Sequence, residues 1–250
     1  TLRRSVVVFG CATACNFPVA VPAWYFIPAL VAGNTCVWKP SEDSLVTSFW
    51  FTELWAKAGL PSGVFNTVFG PGPTTGASFV ELIENGAFDK NGFTGSTAVG
   101  RRIGEVCGRS LQTPCLELGG KNPMIVCPDA DIDLAVNGAI FSGFGTAGQR
   151  CTSLGNLILH EKIYDQFVTK LVQKANAIKI GDPFDKDTTY GPLISKRFLD
   201  NHLDHLTTLI ERHHELPLGK GGHIGHGVDW QHFTGNAKRG VYARPNIVLN

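Results

Sequence analysis

The sequence predicts an α/β fold: a mostly parallel sheet covered on both faces by helices. Two observations carry that expectation. Short apolar runs rich in β-branched residues alternate with longer segments of helical spacing, the order in which parallel strands are joined by helical crossovers. In addition, 250 residues with 43% hydrophobic and 17% charged side chains suffice for one large core or two smaller ones.

The elements follow in order. Residues 5–10 (SVVVFG), 34–40 (NTCVWKP), 64–70 (VFNTVFG), 113–120 (TPCLELGG) and 123–127 (PMIVC) read as strands. Residues 46–59 read as a helix that closes on Gly59 ahead of Pro61; residues 97–110 give another, and residues 131–145 a third that opens on Asp131 as its cap. Beyond Cys151 the alternation resumes with a strand at 156–161, a helix over 163–181 and a turn-rich run at 182–195. A boundary is expected at Gly119-Gly120, which separates residues 1–119 from 120–250. From about Leu216 to Gly240 the chain is rich in glycine, histidine and polar residues without a period, and reads as a long surface loop.

Charge and composition narrow the partners. With 22 basic and 21 acidic side chains the net charge is +1, so no field gathers nucleic acid or an anionic membrane. No apolar run approaches the roughly 20 residues of a membrane span, and the basic opening lacks a cleavage site. A soluble, intracellular protein with a small-molecule partner is expected. Seven cysteines without paired spacing point to reduced thiols rather than a disulfide framework. Cys36, Cys107, Cys115 and Cys127 lie in apolar runs and read as buried small hydrophobes. Cys11 and Cys15 have no second pair with which to hold zinc, and seven of eight histidines, between His202 and His232, read as surface residues. No metal site is therefore assigned.

Open α/β sheets take ligands at the carboxyl ends of their strands, where turns and helix starts expose N–H groups. Three places qualify. WKPSE carries Lys39, Ser41 and Glu42; VFGPGPTTG carries Gly70, Gly72 and Gly76; GFTGSTAVG carries Phe93, Gly95, Ser96, Val99 and Gly100 into a helix. None matches a G-x-G-x-x-G fingerprint or a phosphate loop ending in Gly-Lys-Ser/Thr. Lys39 and Glu42 could grip the hydroxyls of an adenosine ribose or form an ordinary surface pair. Glu117 ends an apolar strand beside two glycines, where desolvation would suit it to general-base work, although a turn-capping role fits too. Asn16 could aim its amide at a reacting oxygen or make an Asx turn. Cys151 stands apart: it follows a helical pattern that runs out in GTAGQ and precedes Thr152-Ser153, so its sulfur is expected to be reachable from a cleft.

Taken together, NFP, WKPSE, GPTTG, FTGSTAVG, LELGGK, DADIDLAV, GTAGQRCTS and GPLIS resemble the aldehyde dehydrogenase superfamily in order and spacing over nearly the whole chain. The resemblance implies a Rossmann-type cofactor domain over residues 1–119 and a catalytic domain over 120–250, both incomplete at the termini, the chain being either part of a longer enzyme or a truncated product. It implies Cys151 as nucleophile, Glu117 as general base and Asn16 as oxyanion donor. It also implies a cofactor site at Lys39, Ser41, Glu42, Gly72, Gly76, Phe93, Gly95, Ser96, Val99 and Leu118. The expected cofactor is NAD, because a glutamate at 42 would repel a 2′-phosphate, with NADP left open by Lys39. TACNFPVAV and GTAGQRCTS lean toward the antiquitin-like branch and an α-aminoadipic semialdehyde substrate, while Cys15 stands where the family usually has a bulky aromatic. A homo-oligomer, dimer or tetramer, is expected of the full-length form, in the cytoplasm or, with a presequence, in mitochondria. The alternatives are a catalytically silent relative and a different thiol enzyme.

Overall fold

The computed structural model describes residues 5–213, 215–218 and 230–249. The chain divides into two compact units, Thr1–Gly119 and Gly120–Asn250. In the first, β1 (Val8–Ala12), β2 (Thr35–Lys39), β3 (Phe65–Thr67), β4 (Lys90–Gly95) and β5 (Cys115–Leu118) form one parallel sheet in the order β3-β2-β1-β4-β5. Helices α1 (Ala20–Val31), α2 (Leu45–Lys57), α3 (Ala77–Glu84) and α4 (Thr97–Arg109) follow the first four strands in turn. The strand order reverses between β1 and β4. Connections from their carboxyl ends diverge, which leaves a crevice for a ligand there.

Alternation along each strand sorts the side chains between two cores. Phe9, Cys11, Cys36 and Trp38 pack with Phe26 and Ala29 of α1 on one face. The intervening positions, Ala12, Val37, Phe93, Leu116 and Leu118, meet α3 and α4 through Phe79, Val80, Ile83, Ile103 and Val106. The sheet is thus covered on both sides, as its apolar strands require.

Two elements of this unit leave weak traces in the sequence. α1 holds Pro22 in its first turn, where the missing N–H has no partner to lose, and Pro28 in its interior, yet buries Val21, Pro22, Phe26 and Ala29. β4 reads Lys-Asn-Gly-Phe-Thr-Gly, which lacks a strand-like pattern but lies centrally between β1 and β5. Gly92 is needed there because a Cβ would fall 2.8 Å from Tyr25 Cδ1 of the helix above.

In the second unit, β6 (Asn122–Val126) pairs in parallel with β7 (Leu154–Leu159) through the crossover α5 (Ile132–Phe144). Asp131 caps α5 as expected, its Oδ1 accepting from Leu134 N–H at 3.0 Å. Val136 and Ala139 of α5 pack with Val126 and with Ile163, Phe167 and Leu171 of the next segment. The helix expected over 163–181 is shorter: α6 (Tyr164–Asn176) ends before Ile178 and Ile180, which turn into a core with Tyr190 and Tyr242. α7 (Lys196–His213) is an additional helix, and its Leu199 packs with Leu193 and Ala243.

The surface loop expected over 216–240 needs correction. Glu215–Leu218 forms β8, antiparallel to β9 (Ile247–Leu249), and Trp230 and Phe233 pack against the Ile180 core, because both rings are too apolar to remain in solvent. Residues 219–229 lie outside the described residues. Two cysteine assignments change as well. Cys36 and Cys107 are buried, but Cys115 and Cys127 are exposed. β5 is the edge strand, so Leu116 and Leu118 turn to the α4 core while Cys115 does not; Cys127 follows the end of β6, where the apolar run gives way to a turn.

Candidate active site

The candidate residues of the first unit lie at the carboxyl edge of its sheet, and the register explains why. Ala12 pairs with both Lys39 and Phe93, Thr94 with Glu117, and Gly95 with Leu118. β1 and β2 therefore finish at one level, and β4 and β5 run two residues beyond it.

Lys39, the last residue of β2, is buried at 6% exposure, which makes its charge expensive. Burial lowers its pKa, and Glu42 opposes that shift. Its Nζ donates to the Pro40 carbonyl at 3.0 Å and lies 3.7 Å from Glu42 Oε2. Ser41 caps the single turn that carries Glu42, accepting from Asp43 N–H at 3.3 Å. After β3, Gly72–Gly76 forms one wide turn against this pair. A Cβ at Gly72 would lie 3.7 Å from Glu42 Oε1, and one at Gly76 the same distance from Lys39 Cε. The structure thus brings Lys39, Glu42, Gly72 and Gly76 together, with backbone rather than side chains facing the ion pair.

Across the switch point, Ser96 caps α4, its Oγ accepting from Val99 N–H at 3.4 Å. The remaining N–H groups of that first turn give the helix its positive end, and Val99 is exposed beside it. Gly100 lets α4 settle on β5: a Cβ there would meet Leu118 Cδ2 at 2.5 Å. Phe93 and Leu118 share this face with α4.

Glu117 is on the opposite face, one residue out of step with Leu118. It is exposed, so the burial expected to tune it is absent at this edge strand. Tyr25 of α1 reaches the same region, its hydroxyl 3.0 Å from Thr94 Oγ1 and donating to the Phe93 carbonyl at 3.2 Å. Burial pushes its phenol up to about 12, with Thr94 opposing and Cys11, Glu117 and Cys115 adding to the rise. Asn16 sits half-buried in the bend between β1 and α1.

Cys151 belongs to the second unit and is half-buried in a turn between α5 and β7. The backbone before it is strained. Thr146 (φ 56°), Ala147 (φ 54°) and Gly148 (φ 71°) follow one another in the left-handed region, which costs a non-glycine residue about 1–2 kcal/mol. Such strain persists only where surroundings hold it. Here Gln149 donates to the carbonyls of Thr146 (3.2 Å) and Pro192 (3.3 Å) and accepts from Ile194 N–H (3.0 Å). Arg150 donates to the Phe141 carbonyl and stacks its guanidinium 4.6 Å from the Phe141 ring centre. Asn122 ties the Cys151 and Ser153 carbonyls to β6.

These three holding residues, and Tyr25, were missed by reading the sequence. Gln149 and Arg150 stand just before the cysteine and Asn122 follows Gly-Gly-Lys, but nothing in their spacing marks a partner 9 positions away for Arg150, or about 30 and 40 away for Asn122 and Gln149. Among the described residues no group of three potential metal ligands is assembled, and no helix is long and apolar enough to cross a membrane. His214, His223 and His226 lie outside the described residues.

The family model "Aldehyde dehydrogenase family" matches residues 1–249. Alpha-ketoglutaric semialdehyde dehydrogenase of Bacillus subtilis (strain 168) is 37% identical over 250 residues, covering 100% of this chain and 49% of that protein. Retinaldehyde dehydrogenase 3 of Mus musculus is 42% identical over 205 residues, 82% of this chain and 40% of its own length. A crystal structure of PnpE in complex with nicotinamide adenine dinucleotide superposes with a TM-score of 0.85 at 38% identity, over 98% of this chain and 48% of that one. The chain spans about half the length of the relatives it matches. Their names cover differing aldehydes and do not single out the antiquitin-like branch.

Proposed function

The chain belongs to the aldehyde dehydrogenase family, and from that premise we propose that its protein oxidises an aldehyde to the carboxylic acid with NAD, through a thioester on Cys151. The observation that carries this reading is the carboxyl edge of the five-stranded sheet. Lys39 and Glu42 lie against the Gly72–Gly76 turn at one end of it, and the α4 start capped by Ser96 lies at the other.

These residues fit a dinucleotide. Lys39 and Glu42 offer a donor and an acceptor to ribose hydroxyls, the first turn of α4 suits the pyrophosphate, and Phe93, Val99 and Leu118 give apolar surface beside it. Glu42 disfavours a 2′-phosphate, which makes NAD the preferred form. When bound, the nicotinamide supplies the hydride acceptor for the oxidation. The chain's own residues do the rest. Cys151, as thiolate, adds to the carbonyl carbon and becomes a thiohemiacetal and then a thioester. The Asn16 amide and the Cys151 N–H donate to the oxyanion, a kind of donor worth about 10²–10³ in rate. Glu117 takes the proton of the water that cleaves the thioester, and its exposed position keeps water within reach. A semialdehyde is the proposed substrate class, the antiquitin-like lean its narrower form, and a homo-oligomer the proposed assembly.

The test is NADH formation by the intact protein across an aldehyde panel that includes α-aminoadipic semialdehyde. Turnover that vanishes in Cys151→Ser, with a thioester trapped on Cys151 when Glu117→Gln is used, is the expected result. Folded protein that binds NAD but turns over no aldehyde would make it a silent relative instead.

A further inference from the structure

The turn that carries Cys151 is tied down by hydrogen bonds, and one side chain makes two of them. Asn122 Nδ2 donates to the Cys151 carbonyl at 2.8 Å and to the Ser153 carbonyl at 2.9 Å. Both partners are pure acceptors, so it is the –NH₂ end of the Asn122 amide, with its two N–H bonds, and not its oxygen that serves them together. Ser153 N–H donates in turn to the Arg150 carbonyl at 3.1 Å. With no cis peptide in the described chain, each N–H lies opposite its own carbonyl. The Arg150 carbonyl turned toward Ser153 therefore turns the Cys151 N–H away from it, and the Cys151 carbonyl held by Asn122 sets the plane on the other side. Both peptides that flank the cysteine are defined.

The reach of Asn122 depends on a bulge. Asn122 pairs with Leu154 but Pro123 pairs with Asn156, so Gly155 is an extra residue in β7. Bulges of this kind redirect a neighbouring side chain, and Pro123, which has no N–H, is tolerated where the ladder is interrupted. Gly155 also lets the strands close: a Cβ there would fall 2.8 Å from Lys121 Cα.

We propose that Asn122 is a positioning residue for Cys151, orienting the peptides on both sides of the sulfur-bearing Cα so that thiolate and N–H are presented to the same carbonyl. The proposal rests on Cys151 being the nucleophile. It acts through the cysteine and needs no contact of Asn122 with substrate.

The experiment compares Asn122→Asp, Asn122→Ala and Asn122→Ser in the intact protein. Asp keeps the shape but offers no N–H to the two carbonyls, whereas Ser keeps one donor. The readouts are kcat and KM for aldehyde oxidation, NAD affinity by calorimetry, and the rate at which iodoacetamide labels Cys151, followed by mass spectrometry of its peptide. We expect kcat to fall about 10²-fold in Asp and Ala, Cys151 labelling to slow, NAD affinity to stay unchanged, and Ser to recover part of the loss. General unfolding would instead weaken NAD binding and expose the buried Cys11, Cys36 and Cys107 to label. Wild-type kcat and labelling rate in both Asp and Ala would overturn the proposal. If wild-type protein oxidises no aldehyde, the nucleophile reading falls separately, and unchanged Cys151 labelling in the variants would still remove Asn122 from this role.

Discussion

Replacing Gly155 by alanine tests the bulge beside the cysteine turn. The new Cβ would lie 2.8 Å from Lys121 Cα, 3.0 Å from its Cδ and 3.2 Å from its carbonyl carbon. Carbon atoms rest at about 3.5–4.0 Å, so the closest approach is short by roughly 0.7 Å. Lys121 Cδ can swing aside, but Cα and the carbonyl carbon move only if β6 shifts against β7. Overpacking of this kind costs about 1–3 kcal/mol, while loss of glycine freedom in the unfolded chain returns about 0.4–1. The net is a destabilisation of up to about 2.6 kcal/mol, or a fall in Tm of up to roughly 10 °C for the transition that unfolds the second unit. Scanning calorimetry reads it, and Gly108→Ala is the control. Gly108 lies in the last turn of α4, where a Cβ meets nothing within 4 Å and alanine favours the helix by up to about 1 kcal/mol. The two variants should move stability in opposite directions. Equal upward shifts would refute the claim that close strand approach demands glycine at 155.

Lys39→Met removes a buried ammonium and a proposed donor to ribose; NAD should bind about 10- to 100-fold more weakly by calorimetry, while Tm changes little, because burying the charge was itself costly. Asp131→Ala loses the α5 cap and should cost about 1 kcal/mol in urea unfolding; a wild-type midpoint would mean that the cap bond adds nothing to stability. His202 has its pKa lowered by burial and then by His205 and Lys121, and it lies 3.2 Å from Asn246 Nδ2. A histidine held neutral stabilises the fold above its unfolded value near 6.5, and that contribution is lost as pH falls through the lower folded value. Unfolding free energy should therefore drop as pH falls below about 6.5 in wild type and vary less in His202→Gln; parallel profiles would exclude His202 as the source.

The helices with ordinary caps were legible because their signals are local. Asp131 and Gly59 mark ends that a few neighbouring residues decide, and the apolar runs at β1, β2 and β5 announce themselves by composition. β4 was hidden because one of its core positions is Gly92, which makes room for Tyr25, and α1 because prolines interrupt a pattern that burial alone enforces. The candidate residues Lys39, Glu42, Gly72 and Gly76 were legible as strand-end motifs. Their gathering into one cluster was not, since Glu42 and Gly72 meet only when β2 and β3 lie side by side.

By itself the sequence determined the alternation of strand and helix, the reduced thiols, the family resemblance and the singular setting of Cys151, because each rests on residue type and local order. Only the tertiary structure decided that Glu117 is exposed, that Cys115 and Cys127 are exposed rather than buried, and that Asn122 grips the cysteine turn. Those outcomes follow from which strand forms a sheet edge, where β6 stops and where a bulge falls, and all three depend on pairing between distant parts of the chain.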